Sequence, residues 1–163
     1  ELFSLPNQVW SQHVRGDMVW PETENIDRVV SYWLARREDG EMTYVYYGAA
    51  PAFRYYLRLY GVESAPLSPG WYALCWRGED HNACVARGVY YGEGLREYPP
   101  SEKLRSVWET VGGKPDRLWM IFSHVYLDEE DVILRGLRAY GYTLVLVKKE
   151  TNASAYLLVR DRR

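Results

Sequence analysis

Ser123 and His124 stand side by side at the end of an apolar run, a hydroxyl next to an imidazole. This is the pairing from which a general base makes a nucleophile. Adjacent residues on a strand point to opposite faces, so the two side chains are expected to diverge. No G-x-S-x-G elbow surrounds Ser123 either. His124 is then read as a hydrogen-bond donor lining a cleft or as a structural histidine. Gly48-Ala49-Ala50-Pro51, ahead of a helix, offers backbone N–H groups to a phosphate. It is neither G-x-G-x-x-G nor a P-loop, and Pro51 removes one donor, so a tight structural turn is the plainer account. Arg54, one turn further, supplies a charge for an anion or faces solvent. Tyr47 and Tyr126 supply aromatic faces for a sugar. Cys75, His81 and Cys84 lack C-x-x-C spacing and leave three readings open: zinc, a disulfide, or two thiols. Asp128-Glu129-Glu130-Asp131 imitates a metal-binding cluster, but four carboxylates at a helix start are explained by the helix dipole. No metal site is expected.

These residues need elements to hold them. Thr43–Tyr47 is β-branched and aromatic and reads as a buried strand. Pro51 suits a first helical turn, Phe53, Tyr56, Leu57 and Tyr60 keep helical spacing, and Gly61 follows as a stop. Upstream, Thr23 is placed to cap a helix over 24–38 with Ile26, Val29, Val30, Trp33 and Leu34 on one face. Trp71–Trp76 and Cys84–Tyr91 are expected strands in a Gly- and Pro-rich region. Ser101 caps a helix facing inward with Leu104, Val107, Trp108 and Val111, stopped by Gly112-Gly113. Arg117–Ser123 is continuously apolar, as a strand buried on both faces is. A helix from Asp128 to Gly141 follows, then strands Tyr142–Lys148 and Ala155–Arg160, a hairpin with Asn152 near its tip.

Alternation of this kind predicts an α/β three-layer, Rossmann-like sandwich with a mainly parallel sheet and a C-terminal antiparallel hairpin. Thr43–Tyr47 is expected at its centre, the strand near Val85 on one side and Arg117–Ser123 on the other. The switch point between the first and third strands then gathers Tyr47, Gly48, Arg54, Ser123, His124 and Tyr126 at the carboxyl ends. No glycine fingerprint or ribose-binding acid follows the first strand, so no tight NAD(P) or ATP binding and no cofactor are expected.

At 163 residues the chain reads as a connecting arm, residues 1–22, and a single α/β domain, residues 23–163. A formal charge of −2 gives no broad attraction to nucleic acid. With 15 tyrosines and 7 tryptophans the aromatic content is high, which serves a core, an interface or sugar stacking. No run of roughly 18 apolar residues is present to span a bilayer.

The string VYYGAAPAFRYYLRLYG, followed by RLWMIFSHVY and an acidic helix, resembles the soluble C-terminal domain of bacterial and archaeal family-39, protein-mannosyltransferase-like membrane glycosyltransferases. The matching anchors are Tyr46-Tyr47-Gly48 with Pro51-Ala52-Phe53-Arg54-Tyr55-Tyr56, Trp119 with Phe122-Ser123-His124, and Ala153-Ser154-Ala155-Tyr156. The segment from Ser64 to Tyr98 departs from the pattern. The resemblance implies an extracytoplasmic accessory domain, itself without the catalytic acid. Its parent enzyme would move sugar from a polyprenyl-phosphate donor, and its partners would be the membrane-embedded part and a glycan or acceptor. Outside the cytoplasm Cys75 and Cys84 are expected to oxidise together. The competing expectation is a free-standing Rossmann-like enzyme or small-ligand-binding protein that uses the cleft near Gly48 and His124.

Overall fold

The computed structural model describes residues 25–76, 83–94, 99–111 and 115–161. The arm at 1–22, the cap at Thr23, His81 and the Gly112-Gly113 stop lie outside the described residues. The elements are α1 (Ile26–Arg36), β1 (Met42–Val45), α2 (Ala50–Leu59), β2 (Val62–Ser68), β3 (Trp71–Trp76), β4 (Ala83–Tyr91), α3 (Pro100–Val111), β5 (Arg117–Ser123), α4 (Glu129–Ala139), β6 (Tyr142–Glu150) and β7 (Ala153–Arg160).

The helices form where apolar residues recur three and four apart. Phe53 and Leu57 put one face of α2 into the core, and Ile133, Leu134 and Leu137 do so for α4. Both helices end ahead of a glycine in the left-handed region, Gly61 at φ 73° and Gly141 at φ 84°, where a Cβ would be strained.

All seven strands join one sheet in the order β2-β3-β4-β1-β5-β7-β6. β1 runs parallel to β4 on one side, with Thr43 opposite Val89, and parallel to β5 on the other, with Thr43 opposite Trp119. The other neighbours, β2 with β3, β3 with β4, β5 with β7 and β6 with β7, are antiparallel. The expectation of a mainly parallel, Rossmann-like sandwich is therefore wrong: the sheet is mixed and mostly antiparallel. Part of the cause lies at the C-terminus, where β7 enters between β5 and β6 and runs antiparallel to both, and part between α2 and β4. Val62–Ser68, which carries no assigned element in the sequence reading of this Gly- and Pro-rich region, is a strand. It lies at the margin of the sheet, where proline's missing N–H need not serve the ladder, and the register shifts beside it. With β3 it makes an antiparallel meander where a β-α-β alternation supplies one parallel strand. The central place of the first strand, between the strand near Val85 and Arg117–Ser123, is as expected.

Helices cover both faces. Alternation along β5 sends Trp119 and Ile121 to the side of α1 and α2, with Val29, Val30, Trp33, Phe53 and Leu57. It sends Leu118, Met120 and Phe122 to the side of α3 and α4, with Val107, Val111, Ile133 and Leu137. Each large apolar side chain removed from water this way contributes about 1.5–3 kcal/mol. The two indoles deepest in the first layer keep their N–H groups bonded, Trp33 Nε1 donating to Thr43 Oγ1 at 3.1 Å and Trp119 Nε1 to Glu41 Oε2 at 2.7 Å. Buried donors left without a partner would be costly.

Cys75 and Cys84 sit directly opposite each other across β3 and β4 and are joined by a disulfide. They are nine positions apart in sequence, and loop closure predicts about 2–3 kcal/mol of stabilisation through the unfolded chain. Unreduced, denatured protein should show no alkylatable thiol by mass spectrometry, and reduction should lower the urea midpoint accordingly. An unchanged midpoint would remove the bridge from the account of stability.

Candidate functional site

The carboxyl ends of β1 and β5 meet more tightly than a ligand crevice would. Tyr46 N, just past β1, donates to Ile121 O at 2.8 Å, extending the pairing beyond the strand. A Cβ placed on Gly48 would lie 2.9 Å from both Ser123 O and His124 O. Gly48 thus brings the loop before α2 onto the backbone that ends β5, and the junction is closed by main chain. The Gly48–Pro51 segment serves as a turn, with Ala49 N donating to Tyr46 O at 2.9 Å.

The expected site residues part company around this junction. Ser123 Oγ and His124 Nδ1 do converge, at 3.1 Å, contrary to the expectation from strand alternation. His124 has already left the strand, with φ at 51°, and so does not point to the opposite face. Ser123 is wholly buried, however, so no substrate carbonyl reaches its hydroxyl, while His124 is exposed. Arg54 turns toward β4 and β3, its guanidinium 4.0 Å from the Tyr91 ring centre and 4.8 Å from that of Tyr72. That stacking is a cation–π arrangement and takes Arg54 away from β5. Tyr47 packs its ring 4.5 Å from that of Tyr46. Tyr126 is 42% exposed, and the adjoining Leu127 is 80% exposed with φ at 51°.

Beside the junction lies a polar cluster that the sequence did not announce. Glu129, 1% exposed, accepts from Lys103 Nζ at 2.6 Å and from the hydroxyl of the fully buried Tyr46. Tyr126 N donates back to that hydroxyl at 3.3 Å. One residue on, Glu130 accepts from Ser154 Oγ at 2.8 Å and from the Tyr156 hydroxyl. So two of the four carboxylates assigned to the helix dipole reach down to the sheet. The available signal was a set of tyrosines inside strands, whose hydroxyls require acceptors once buried. A similar anchor stands at the other end of the sheet, where Glu41 accepts from Trp119 Nε1 and Arg117 Nε.

Burial, and then the bond to Glu129, push the Tyr46 hydroxyl far above its ordinary value of 10.0. Burial and then Glu130 do the same for Tyr156. Burial chiefly, with the charge of Asp116 adding to it, raises Tyr142 to about 12, against an opposing pull from Arg160. The native state therefore holds protons that the unfolded chain releases near pH 10. Stability should be level below that pH and fall as pH rises from there toward the native values, by about 1.4 kcal/mol per pH unit for each such tyrosine. Urea unfolding at pH 8 and at pH 11 checks this; equal midpoints would contradict it.

Among the described residues no group of three or more His, Cys, Asp or Glu side chains is arranged to hold a metal ion. None of the described helices is long and apolar enough to cross a membrane. Comparison of the chain with protein-family profiles, with curated proteins and with solved structures found no match.

Proposed function

We propose that the chain is a non-catalytic, extracytoplasmic accessory domain of a membrane glycosyltransferase that uses polyprenyl-phosphate-linked sugar. Its role would be to position the acceptor or contact the membrane-embedded part. The observation that carries the reading is where the anchors of the family resemblance sit. Tyr46, Gly48, Phe122, Ser123, Ser154 and Tyr156 come from distant parts of the sequence and meet at one end of the sheet. The Tyr46 and Phe122 rings lie 5.7 Å apart, those of Phe122 and Tyr156 6.0 Å, and Ser154 pairs with Phe122 in register. The main-chain closure at Gly48 favours an accessory role over catalysis, because no open crevice remains where a sheet of this kind would hold substrate. The Cys75–Cys84 bridge suits an oxidising compartment.

The test uses membranes carrying the full-length gene product. Transfer from a labelled polyprenyl-phosphate sugar should be seen with the whole protein and should fall when this domain is excised. The isolated chain should neither transfer nor hydrolyse the donor. Turnover by the isolated chain, or a reading frame without membrane helices, would overturn the proposal.

A further inference from the structure

Among the described residues, an open groove lies away from the β1–β5 junction. It has a volume of about 660 Å³ and runs from the amino ends of β1 and β5 to the β2–β3 turn, within the size range of small-ligand sites. Leu67, Trp71 and Pro115 form its apolar side, and Glu38, Asp39, Asp116 and Arg117 its polar side.

Each part is held in place before any ligand arrives. Gly70, at φ 76°, lets the β2–β3 turn lie directly on Tyr90, where a Cβ would come within 2.5 Å of the ring. Trp71 follows it and packs edge-on against Tyr90 at 5.2 Å, which fixes the indole. Arg117 is clamped by Glu41, itself 5% exposed, and lies 3.5 Å from Glu38. Glu41 also accepts from Trp119 Nε1 and Glu38 N and so is fully engaged. Glu38 faces Arg117 and Asp116 bonds Arg160 at 3.0 Å, so the four lining carboxylates, Glu38, Asp39, Glu41 and Asp116, meet two cations, of which Arg117 alone lines the groove.

Carboxylates in excess repel a phosphate and accept from hydroxyl and ammonium groups. A half-buried tryptophan beside aliphatic surface suits a ring with a C–H face. We propose that this groove binds a saccharide that carries no phosphate, either neutral or amine-bearing. That chemistry stands without the glycosyltransferase reading. Its assignment to the acceptor, and not to the phosphate-bearing donor, rests on that reading.

The experiment is a titration of the isolated protein followed by amide and indole NMR shifts, with maltotetraose, a glucosamine tetramer and glucose 1-phosphate as probes. At least one tetramer should give saturable shifts at the Trp71 indole and at the Gly40 and Asp116 amides, retained at high salt, and glucose 1-phosphate should give none. Glu38→Gln with Asp39→Asn should weaken binding about tenfold, the loss expected for one charge-assisted hydrogen bond. Leu67→Arg, at a side chain 54% exposed, should block the groove while the folded spectrum is kept. Overturning results are no saturable shift with either tetramer, equal shifts with glucose 1-phosphate, or full binding by Leu67→Arg. Shifts here without transfer in membranes would leave the groove standing and remove the glycosyltransferase reading. Transfer without shifts would do the reverse.

Discussion

Glu129→Gln is expected to cost about 3–5 kcal/mol of folding free energy, a large part of what a domain this size has. Two effects add. The substitution removes the charge that the described residues bring to Lys103, whose side chain is 12% exposed, leaving an ammonium with little water and no counter-charge among them. It also replaces a carboxylate acceptor for the buried Tyr46 hydroxyl with an amide that must orient its oxygen correctly for one partner or the other. If the cost comes chiefly from the stranded ammonium, adding Lys103→Met should restore part of it. Denaturant unfolding of the two single variants and the double variant gives the coupling, expected to exceed about 1 kcal/mol. Additive losses would mean that Lys103 and Glu129 are neighbours without being energetic partners.

Gly48→Val should be nearly as damaging, at about 3 kcal/mol or more, above the usual cost of overpacking because the obstructing atoms are carbonyl oxygens of β5 and its first loop residue. Side chains step aside more cheaply than backbone does. Gly40→Ala provides the contrast: Gly40 has φ 83° with nothing within 4 Å of a Cβ, so its cost is conformational only, about 1–2 kcal/mol. Thermal unfolding separates the two, since roughly 3 kcal/mol lowers the midpoint of a 150–250-residue domain by about 6–12 °C. A Gly48→Val protein as stable as Gly40→Ala would show that the β1–β5 junction is open in solution.

Much of the framework was readable because periodicity and punctuation agreed. Arg117–Ser123 was apolar throughout and bounded by turn signals, and it forms a strand with those bounds. Gly61 and Gly141 marked helix ends that need a left-handed residue. Val62–Ser68 was hidden because a marginal strand tolerates Pro66 and exposes much of its length, which erases both the hydrophobic alternation and the absence of breakers. That strand adds one antiparallel pairing to the sheet, and β3 with β4 and β7 with both β5 and β6 supply the others. At the site, composition named the groups but not their partners. Glu129 and Glu130 looked like dipole charges until the sheet put Tyr46 and Tyr156 beneath them, 83 and 26 residues away in sequence. His124 needed a φ value, not a residue type, to bring it against Ser123.

The place of β1 sets the order of assembly. The strand is made early, yet its partners lie at residues 89–91 and 118–121, while β2-β3-β4 and β6-β7 pair with neighbours close in sequence. Local hairpins close at lower entropic cost than distant pairs. During synthesis, Met42, Tyr44 and Val45 therefore wait without a partner strand until β4 has been made, and the second edge of β1 waits for β5. The sheet's midline, the most buried part of the finished molecule, is among the last to be sealed.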